Sequence, residues 1–96
     1  MKLEFEGRVW IYPGAAAWHF VSLPSEYTTD LKLIGGSSGF GSIRVLAKIN
    51  NIEWQTSIFP DTKSGCYLLP LKKDIRFKTG LTDGSIVRCT LDIRVQ

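Results

Sequence analysis

Two stretches of this chain follow the same plan, and this repetition constrains the fold more than any other feature. Each stretch has an apolar run ending in Leu-Pro, a short segment with helical spacing, a Gly-containing break, and Gly-Ser-Ile before an alternating run. These pairs and triplets are Leu23-Pro24 with Gly41-Ser42-Ile43, and Leu69-Pro70 with Gly84-Ser85-Ile86. Self-similarity of this kind indicates one supersecondary unit used twice. The sequence therefore predicts a domain built from two related halves.

Alternation of apolar and polar residues predicts that most of the chain is β-strand. The alternation is clearest at 87–95, where Val, Cys, Leu, Ile and Val alternate with Arg, Thr, Asp and Arg. A period of two is the pattern of a half-buried strand. Asn50-Asn51 separates two such runs and suits a tight turn, since Asn tolerates positive φ. The runs with alternating or continuous apolar character are 3–11, 18–23, 42–59, 66–69 and 87–95.

A short helix is predicted after each Leu-Pro pair. Proline suits the first turn of a helix and cannot donate to a strand ladder. Apolar residues then recur at helical spacing over 27–34 and 71–75, and Gly35-Gly36 and Gly80 provide the stops that helices commonly use. Six strands and two short helices predict a mainly β fold, a small closed six-stranded barrel. Closure would remove the exposed edges that such apolar strands otherwise present.

Length and charge bound the class of protein. Ninety-six residues make one domain over residues 1–96. A net charge of +3 helps solubility and identifies no partner. No apolar run approaches the roughly 20 residues that span a bilayer, and the first residues do not form a signal peptide. Two cysteines do not make a disulfide framework. We therefore expect a cytoplasmic protein with no membrane association.

The sequence offers little for catalysis or for metal binding. His19 is the only histidine, and Cys66 and Cys89 are 23 positions apart in apolar runs, so no residues have metal-ligand spacing. The stretch 35–39 matches G-x-S-x-G around Ser37. That nucleophile motif needs a strand before it and a helix after it, and the order predicted here is the reverse. We expect no catalytic residue, no metal and no cofactor, and we favour a function that is not enzymatic, with an enzyme as the least favoured alternative.

A basic group on the second predicted helix is the best candidate for a binding site. Lys72 and Arg76 are four residues apart and share a helical face, with Lys73 beside them. The start of a helix next to basic side chains attracts carboxylate or phosphate. We expect these side chains to form one rim of a cleft. The alternative is an ordinary solvated face, with an acid such as Glu26 or Asp61 compensating the charge.

Aromatic and polar residues of the strands would complete this site. We expect the floor of the cleft to include Trp54 and Tyr67. The full set of candidate ligand-binding residues is Trp18, His19, Trp54, Ser57, Tyr67, Lys72, Lys73 and Arg76. A structural interpretation stays open for three of them. Trp18 and Trp54 would then be core residues, and His19 a barrel-wall residue with a satisfied hydrogen bond.

Several segments spread over the chain carry a resemblance to a known family. They are Trp18-His19-Phe20-Val21, Leu23-Pro24, Gly39-Phe40-Gly41-Ser42, Trp54, Thr56-Ser57-Ile58-Phe59-Pro60, Gly65, Tyr67-Leu68-Leu69-Pro70, Lys72-Lys73, Ile75-Arg76 and Gly80-Leu81. Together they resemble the bacterial domain-of-unknown-function 1905 family over essentially the whole chain. The block from Trp54 to Arg76 is the most specific part. The resemblance implies a double-split β-barrel, which is six-stranded and pseudo-symmetric, and in some relatives a bacteriocin-protection domain follows it.

The same fold class is similar to AbrB-type swapped-hairpin DNA binders, in which two chains each supply one half. Here both halves lie in one chain, so the barrel can close without a partner and we expect a monomer. Ser85 departs from both groups, where an Asp commonly follows the Gly. The family name states no activity, so the resemblance implies none for this chain.

Two binding functions stay open at this point. The favoured one is a non-enzymatic module for a small anionic or peptide ligand. The alternative is a nucleic-acid-binding protein by analogy with AbrB-type folds. Nucleic acid is the less favoured partner because the net charge is only +3 and no long basic recognition helix is predicted.

Overall fold

A computed structural model describes residues 1–14, 17–35 and 41–93 of the protein. Over these residues the chain forms six strands, namely β1 (Lys2–Ile11), β2 (His19–Ser22), β3 (Ile43–Ile49), β4 (Ile52–Pro60), β5 (Tyr67–Leu71) and β6 (Ile86–Ile93). A 3₁₀ turn (Ser25–Tyr27) and helix α1 (Thr28–Gly35) connect β2 towards β3, and helix α2 (Lys73–Thr79) lies between β5 and β6.

The six strands close into one antiparallel barrel in the order β1-β2-β5-β4-β3-β6, with β6 paired to β1. Exchanging β1 with β4, β2 with β5 and β3 with β6 converts every pair of neighbouring strands into another pair that is also neighbouring. This two-fold relation in the topology is the structural counterpart of the repeat in the sequence. The predicted fold, a mainly β closed barrel of six strands with two short helices, is confirmed.

The interior of the barrel holds the alternating apolar side chains. On β3 and β6 every second residue is buried, which gives Ile43, Val45, Ala47 and Ile49 on one strand and Val87, Cys89, Leu91 and Ile93 on the other. Burying one large apolar side chain contributes about 1.5–3 kcal/mol. A slip of one residue would turn the whole set to solvent, so the pattern fixes the strand register.

Two predicted turn elements are confirmed. Asn50 has φ 55°, and Asn50-Asn51 joins β3 to β4 directly beyond the pair Ile49 and Ile52. Gly80 has φ 72° in the left-handed region, and its N–H donates to the carbonyl of Arg76 to end α2. Glycine has no Cβ to clash in this conformation, which is why it is common at this position.

The second Leu-Pro pair differs from the prediction. Pro70 does not begin a helix but lies inside β5, and α2 begins only at Lys73. β5 pairs with β4 at Tyr67 and Leu68 alone, so at Pro70 the strand has a paired neighbour on one side only. Proline is tolerated at such an edge position because no ladder bond is lost. After the first Leu-Pro pair a helical segment follows at Ser25, as predicted.

Candidate functional site

A cleft of about 320 Å³ opens between β2 with its preceding loop and the β5–α2 connection. Its lining residues are Ala17, Trp18, His19, Phe20, Pro70, Leu71, Lys72, Lys73 and Arg76. A volume of this size falls at the lower end of the range of small-molecule sites, roughly 300–1,000 Å³. The cleft therefore brings together five of the residues singled out from the sequence, namely Trp18, His19, Lys72, Lys73 and Arg76.

The β2–β5 ladder sets the two walls of the cleft against each other. Phe20 pairs with Pro70, and His19 pairs with Leu71. Trp18 and Lys72 are the next residues beyond this last pair, and both line the cleft. Alternate residues share one face of a strand, so Trp18 lies on the same outer side of the barrel as Phe20.

Aromatic side chains cover the outer wall of the barrel at this point. Phe20 is buried, and the ring centroids of Trp10, Tyr12, Trp18 and Phe59 lie within 6.2 Å of its own. The indole of Trp10 is fixed by donating to the Ser22 hydroxyl at 3.0 Å. Trp18 differs from the others because 61% of it is exposed, at the mouth of the cleft. The interpretation of Trp18 as a core residue is therefore wrong.

Lys72, Lys73 and Arg76 give the cleft a positively charged rim. Both lysines are exposed, and Arg76 is half-buried. The Nε of Arg76 donates to the Leu71 carbonyl at 3.2 Å. This bond holds the guanidinium at the cleft and uses only one of its five N–H groups. The arginine is therefore positioned in advance for a further acceptor.

The acids expected as partners do not neutralise this rim. The carboxylate of Asp61 accepts bonds from the Ser64 hydroxyl at 2.8 Å and backbone N–H at 3.2 Å, and these bonds lower its pKa. Glu26 lies in the 3₁₀ turn after β2. Within residues 1–14, 17–35 and 41–93, an ion pair forms only between Arg88 and Glu4, at 3.9 Å. The alternative of a compensating acid thus has no support in the described part of the chain.

His19 is held by the loop that precedes it. Its Nδ1 lies 2.9 Å from the carbonyl of Ala17. Because a carbonyl only accepts, Nδ1 carries the proton of this bond, and Nε2 is left for another partner. His19 thus has the satisfied hydrogen bond expected of a wall residue and also lines the cleft.

Ala17 itself adopts an unusual backbone conformation. Its φ of 49° lies in the left-handed region, where its Cβ crowds the following carbonyl at a cost of about 1–2 kcal/mol. Strained residues of this kind cluster where a site must keep a fixed geometry. The strained Ala17 directly precedes Trp18 and His19, and all three residues line this wall of the cleft.

Three of the expected site residues lie away from the cleft. Tyr67 is buried in the barrel core, and Trp54 packs against that core with its Nε1 buried and without a hydrogen-bond partner. The hydroxyl of Ser57 accepts a bond from Arg44 Nη1 at 3.3 Å. Neither Trp54 nor Tyr67 lines the cleft, so they do not form its floor. The floor consists of Phe20, Pro70 and Leu71.

Phe20 is the residue that sequence reasoning missed. The available signal was Trp10 on the nominally polar face of β1, with Tyr12 at the same alternation just after the strand ends. Aromatic residues on that face indicate a covered outer wall, and Phe20 is the residue they cover. Its place on β2 opposite Pro70 makes it part of the cleft floor.

The described segments do not contain the residue groups that other kinds of site would need. No group of three or more His, Cys, Asp or Glu side chains comes together there. Ser37 and Gly39 of the G-x-S-x-G stretch lie outside the described residues. None of the described helices is long and apolar enough to cross a membrane.

Comparison with protein families gives one match. The model of the family described as Domain of unknown function (DUF1905) matches residues 5–91. A comparison with curated proteins found no match. The family match spans nearly the whole chain and includes every residue that lines the cleft. The protein therefore belongs to the DUF1905 domain family.

Proposed function

We propose that this barrel is a non-enzymatic binding module for a small anionic ligand held in the cleft. The observation that carries the proposal is the convergence of Lys72, Lys73 and Arg76 on one apolar cleft, with no acid paired to them among the described residues. Lys72 directly precedes α2, Arg76 lies within the helix and both line the cleft, so their like charges repel each other there. A bound anion would turn this repulsion into attraction. The charged side chains, and not the N-terminus of α2, would hold the anion, because a helix of seven residues has only a small dipole.

A small ligand is favoured over a peptide by the closure of the barrel. Peptides commonly bind to β-proteins by adding a strand to an open sheet edge. At the cleft, β2 is paired on one side with β1 and on the other with β5, so the strand that carries Phe20 has no open edge for this mode. The modest volume of the cleft also suits a compact ligand better than an extended chain.

Binding without turnover is favoured by the chemistry of the lining. The titratable side chains among the described lining residues are His19, Lys72, Lys73 and Arg76. These groups can hold a negative charge. A catalytic site would add a nucleophile next to a base, or paired acids, and neither arrangement occurs among these lining residues.

The proposal includes a monomeric and cytoplasmic protein. A monomer is supported by the barrel closing within one chain. A reducing compartment is supported by Cys66 and Cys89, which are free thiols. Nucleic-acid binding stays the alternative function. It is less favoured because three cations in one cleft would contact few phosphates, and affinity for nucleic acid grows with the number of such contacts.

The test measures thermal unfolding in phosphate and in chloride at equal ionic strength. We compare the wild type with the double variant Lys72→Ala/Arg76→Ala. The control is Lys2→Ala/Lys48→Ala, which removes two exposed lysines on β1 and β3 that lie outside the cleft. At about ten times Kd, a ligand stabilises the folded state by about 1.4 kcal/mol. The melting temperature of the wild type and of the control should then rise by several degrees.

The double variant in the cleft should show little of this rise. An equal rise in all three proteins would contradict the proposal, because phosphate would then act without the cleft. A rise lost to the same extent in both double variants would also contradict it. Net charge, and no particular site, would then account for the effect.

A further inference from the structure

We infer that the ligand of this cleft joins a planar aromatic ring to an anionic group, and that the ring stacks on Trp18. The inference rests on the proposed anion-binding function and adds the class of the ligand. Its basis is the exposed indole of Trp18 in the cleft, because a site for an anion alone would need only the positively charged rim.

Trp18 is the one residue of the aromatic wall that is not at least half covered. Trp10, Tyr12 and Phe59 are partly buried around Phe20. Trp18 approaches Phe20 with ring centroids 6.2 Å apart and planes inclined by 60°, so one part of the indole is supported and the rest faces the cleft. A supported indole with an open face is a surface on which another planar ring can stack.

The indole also keeps its hydrogen-bond donor. The Nε1 of Trp10 is used by the Ser22 hydroxyl. The Nε1 of Trp18 makes no hydrogen bond to any described residue. Buried or ligand-covered indoles usually find an acceptor for this group. A polar ring substituent or a ligand oxygen at the cleft would provide one.

The position of Trp18 relative to the cations links the ring to the charge. The pair His19 and Leu71 ends the β2–β5 ladder, and Trp18 and Lys72 are the next residue on each side. Both residues line the same cleft, whose volume is about 320 Å³. A ring on the indole and an anionic group at Lys72 and Arg76 therefore lie within the length of one small molecule.

The apolar floor supports the same ligand. Phe20, Pro70 and Leu71 offer no charged group, so a purely ionic ligand such as phosphate would leave this surface uncovered. A ring covers it and brings its anionic group to the rim. An aryl phosphate, an aromatic carboxylate and a mononucleotide all have this chemistry.

The test is a calorimetric titration with matched ligands. Inorganic phosphate carries only the anionic group, benzyl alcohol carries only the ring, and phenyl phosphate carries both. For a nucleotide, ribose 5-phosphate carries the anionic group without the base, adenosine carries the base without the anionic group, and adenosine 5′-monophosphate carries both. The proteins are the wild type, Trp18→Ala and Phe77→Ala. Phe77 is 90% exposed on α2 and does not line the cleft, so it is the matched control for removing an exposed aromatic side chain.

We expect a ligand with both parts to bind the wild type at least about tenfold more tightly than its anionic half alone, as stacking of one ring predicts. Trp18→Ala should remove this advantage, and Phe77→Ala should keep it. The better binder of phenyl phosphate and adenosine 5′-monophosphate identifies the source of the ring as a simple aryl acid or a nucleotide.

Two results would overturn the inference. One is equal affinity of the wild type for phosphate and for both ring-bearing phosphates, which would leave anion binding intact and remove the ring. The other is an advantage of the ring that persists in Trp18→Ala. If none of the anionic ligands binds saturably, the proposed function fails together with the inference.

Discussion

His19 pairs with Leu71 at the end of the β2–β5 ladder, and this pair sets the geometry of the cleft. Beyond it the two strands part. The chain on one side presents the exposed Trp18, and the chain on the other side presents Lys72 and enters α2. The site thus results from a short ladder that ends where both segments begin to line the cleft.

Trp18 and Phe20 should differ sharply in their effect on stability. Phe20 is buried under four aromatic neighbours, so Phe20→Ala should lower the free energy of unfolding by about 3–5 kcal/mol. Trp18→Ala should lower it by less than about 1 kcal/mol, since the side chain is mostly exposed. Urea denaturation of both variants measures this. Similar losses in the two variants would make Trp18 a structural residue and weaken its assignment to a ligand.

Relief of backbone strain at Ala17 should stabilise the protein. Glycine adopts positive φ without the Cβ clash, so Ala17→Gly should raise the free energy of unfolding by about 0.5–1 kcal/mol. Ala47→Gly is the control, because Ala47 is buried in β3 and glycine within a strand is unfavourable. Denaturant melts of both variants provide the comparison. Destabilisation by Ala17→Gly would show that the alanine methyl group matters more than the strain.

Stability should fall at high pH because of Cys89. Burial raises the pKa of this thiol to about 12 from an ordinary value of 9.0. The contribution is fully present below pH 9. Between the two pKa values the unfolded chain releases the proton and the folded chain keeps it, so stability falls as pH rises. The slope from one such group is about 1.4 kcal/mol per pH unit.

The matched variants for this prediction are Cys89→Ala and Cys66→Ala. Denaturant melts between pH 8 and pH 11 should show a shallower fall in Cys89→Ala and an unchanged fall in Cys66→Ala, with pH values chosen to span the window above about 9. Burial also raises the pKa of Tyr67, so some fall should persist in both variants. Identical slopes in wild type and Cys89→Ala would contradict the assignment to Cys89.

Duplex DNA should bind only weakly. With a net charge of +3 and one small basic cleft, the dissociation constant at physiological salt should be at or above the non-specific range of roughly 10⁻⁶–10⁻⁴ M. Fluorescence anisotropy with duplexes of different sequence, repeated at two salt concentrations, measures this. Sequence-selective binding at physiological salt would favour the AbrB-type analogy over a small-ligand function.

The fold could be predicted from the sequence because its determinants are local. Alternation on β3 and β6 identifies the inward faces, and Asn50-Asn51 and Gly80 mark a turn and a helix end by their tolerance of positive φ. Pro70 was placed wrongly because proline suits both a helix start and a one-sided strand position. The pairing of β5 with its neighbours decides between these, and that pairing depends on residues far away in the chain.

The site was predicted only in part for a related reason. Lys72, Lys73 and Arg76 are close in sequence, so their convergence follows from local spacing. The facing wall depends on the β2–β5 register, which brings together residues about 50 positions apart. Trp54 and Tyr67 were assigned to the floor by residue type. They pack in and against the barrel core, and the floor includes Phe20 instead.

The most direct test of anion binding in the cleft is a nuclear magnetic resonance titration of the wild type with phosphate at constant ionic strength. We expect the resonances of the Trp18 indole N–H and of the backbone amides of Lys72 and Lys73 to shift together and to saturate with one dissociation constant. Shifts that grow without saturation, or that appear equally at exposed lysines away from the cleft such as Lys2 and Lys48, would contradict this expectation.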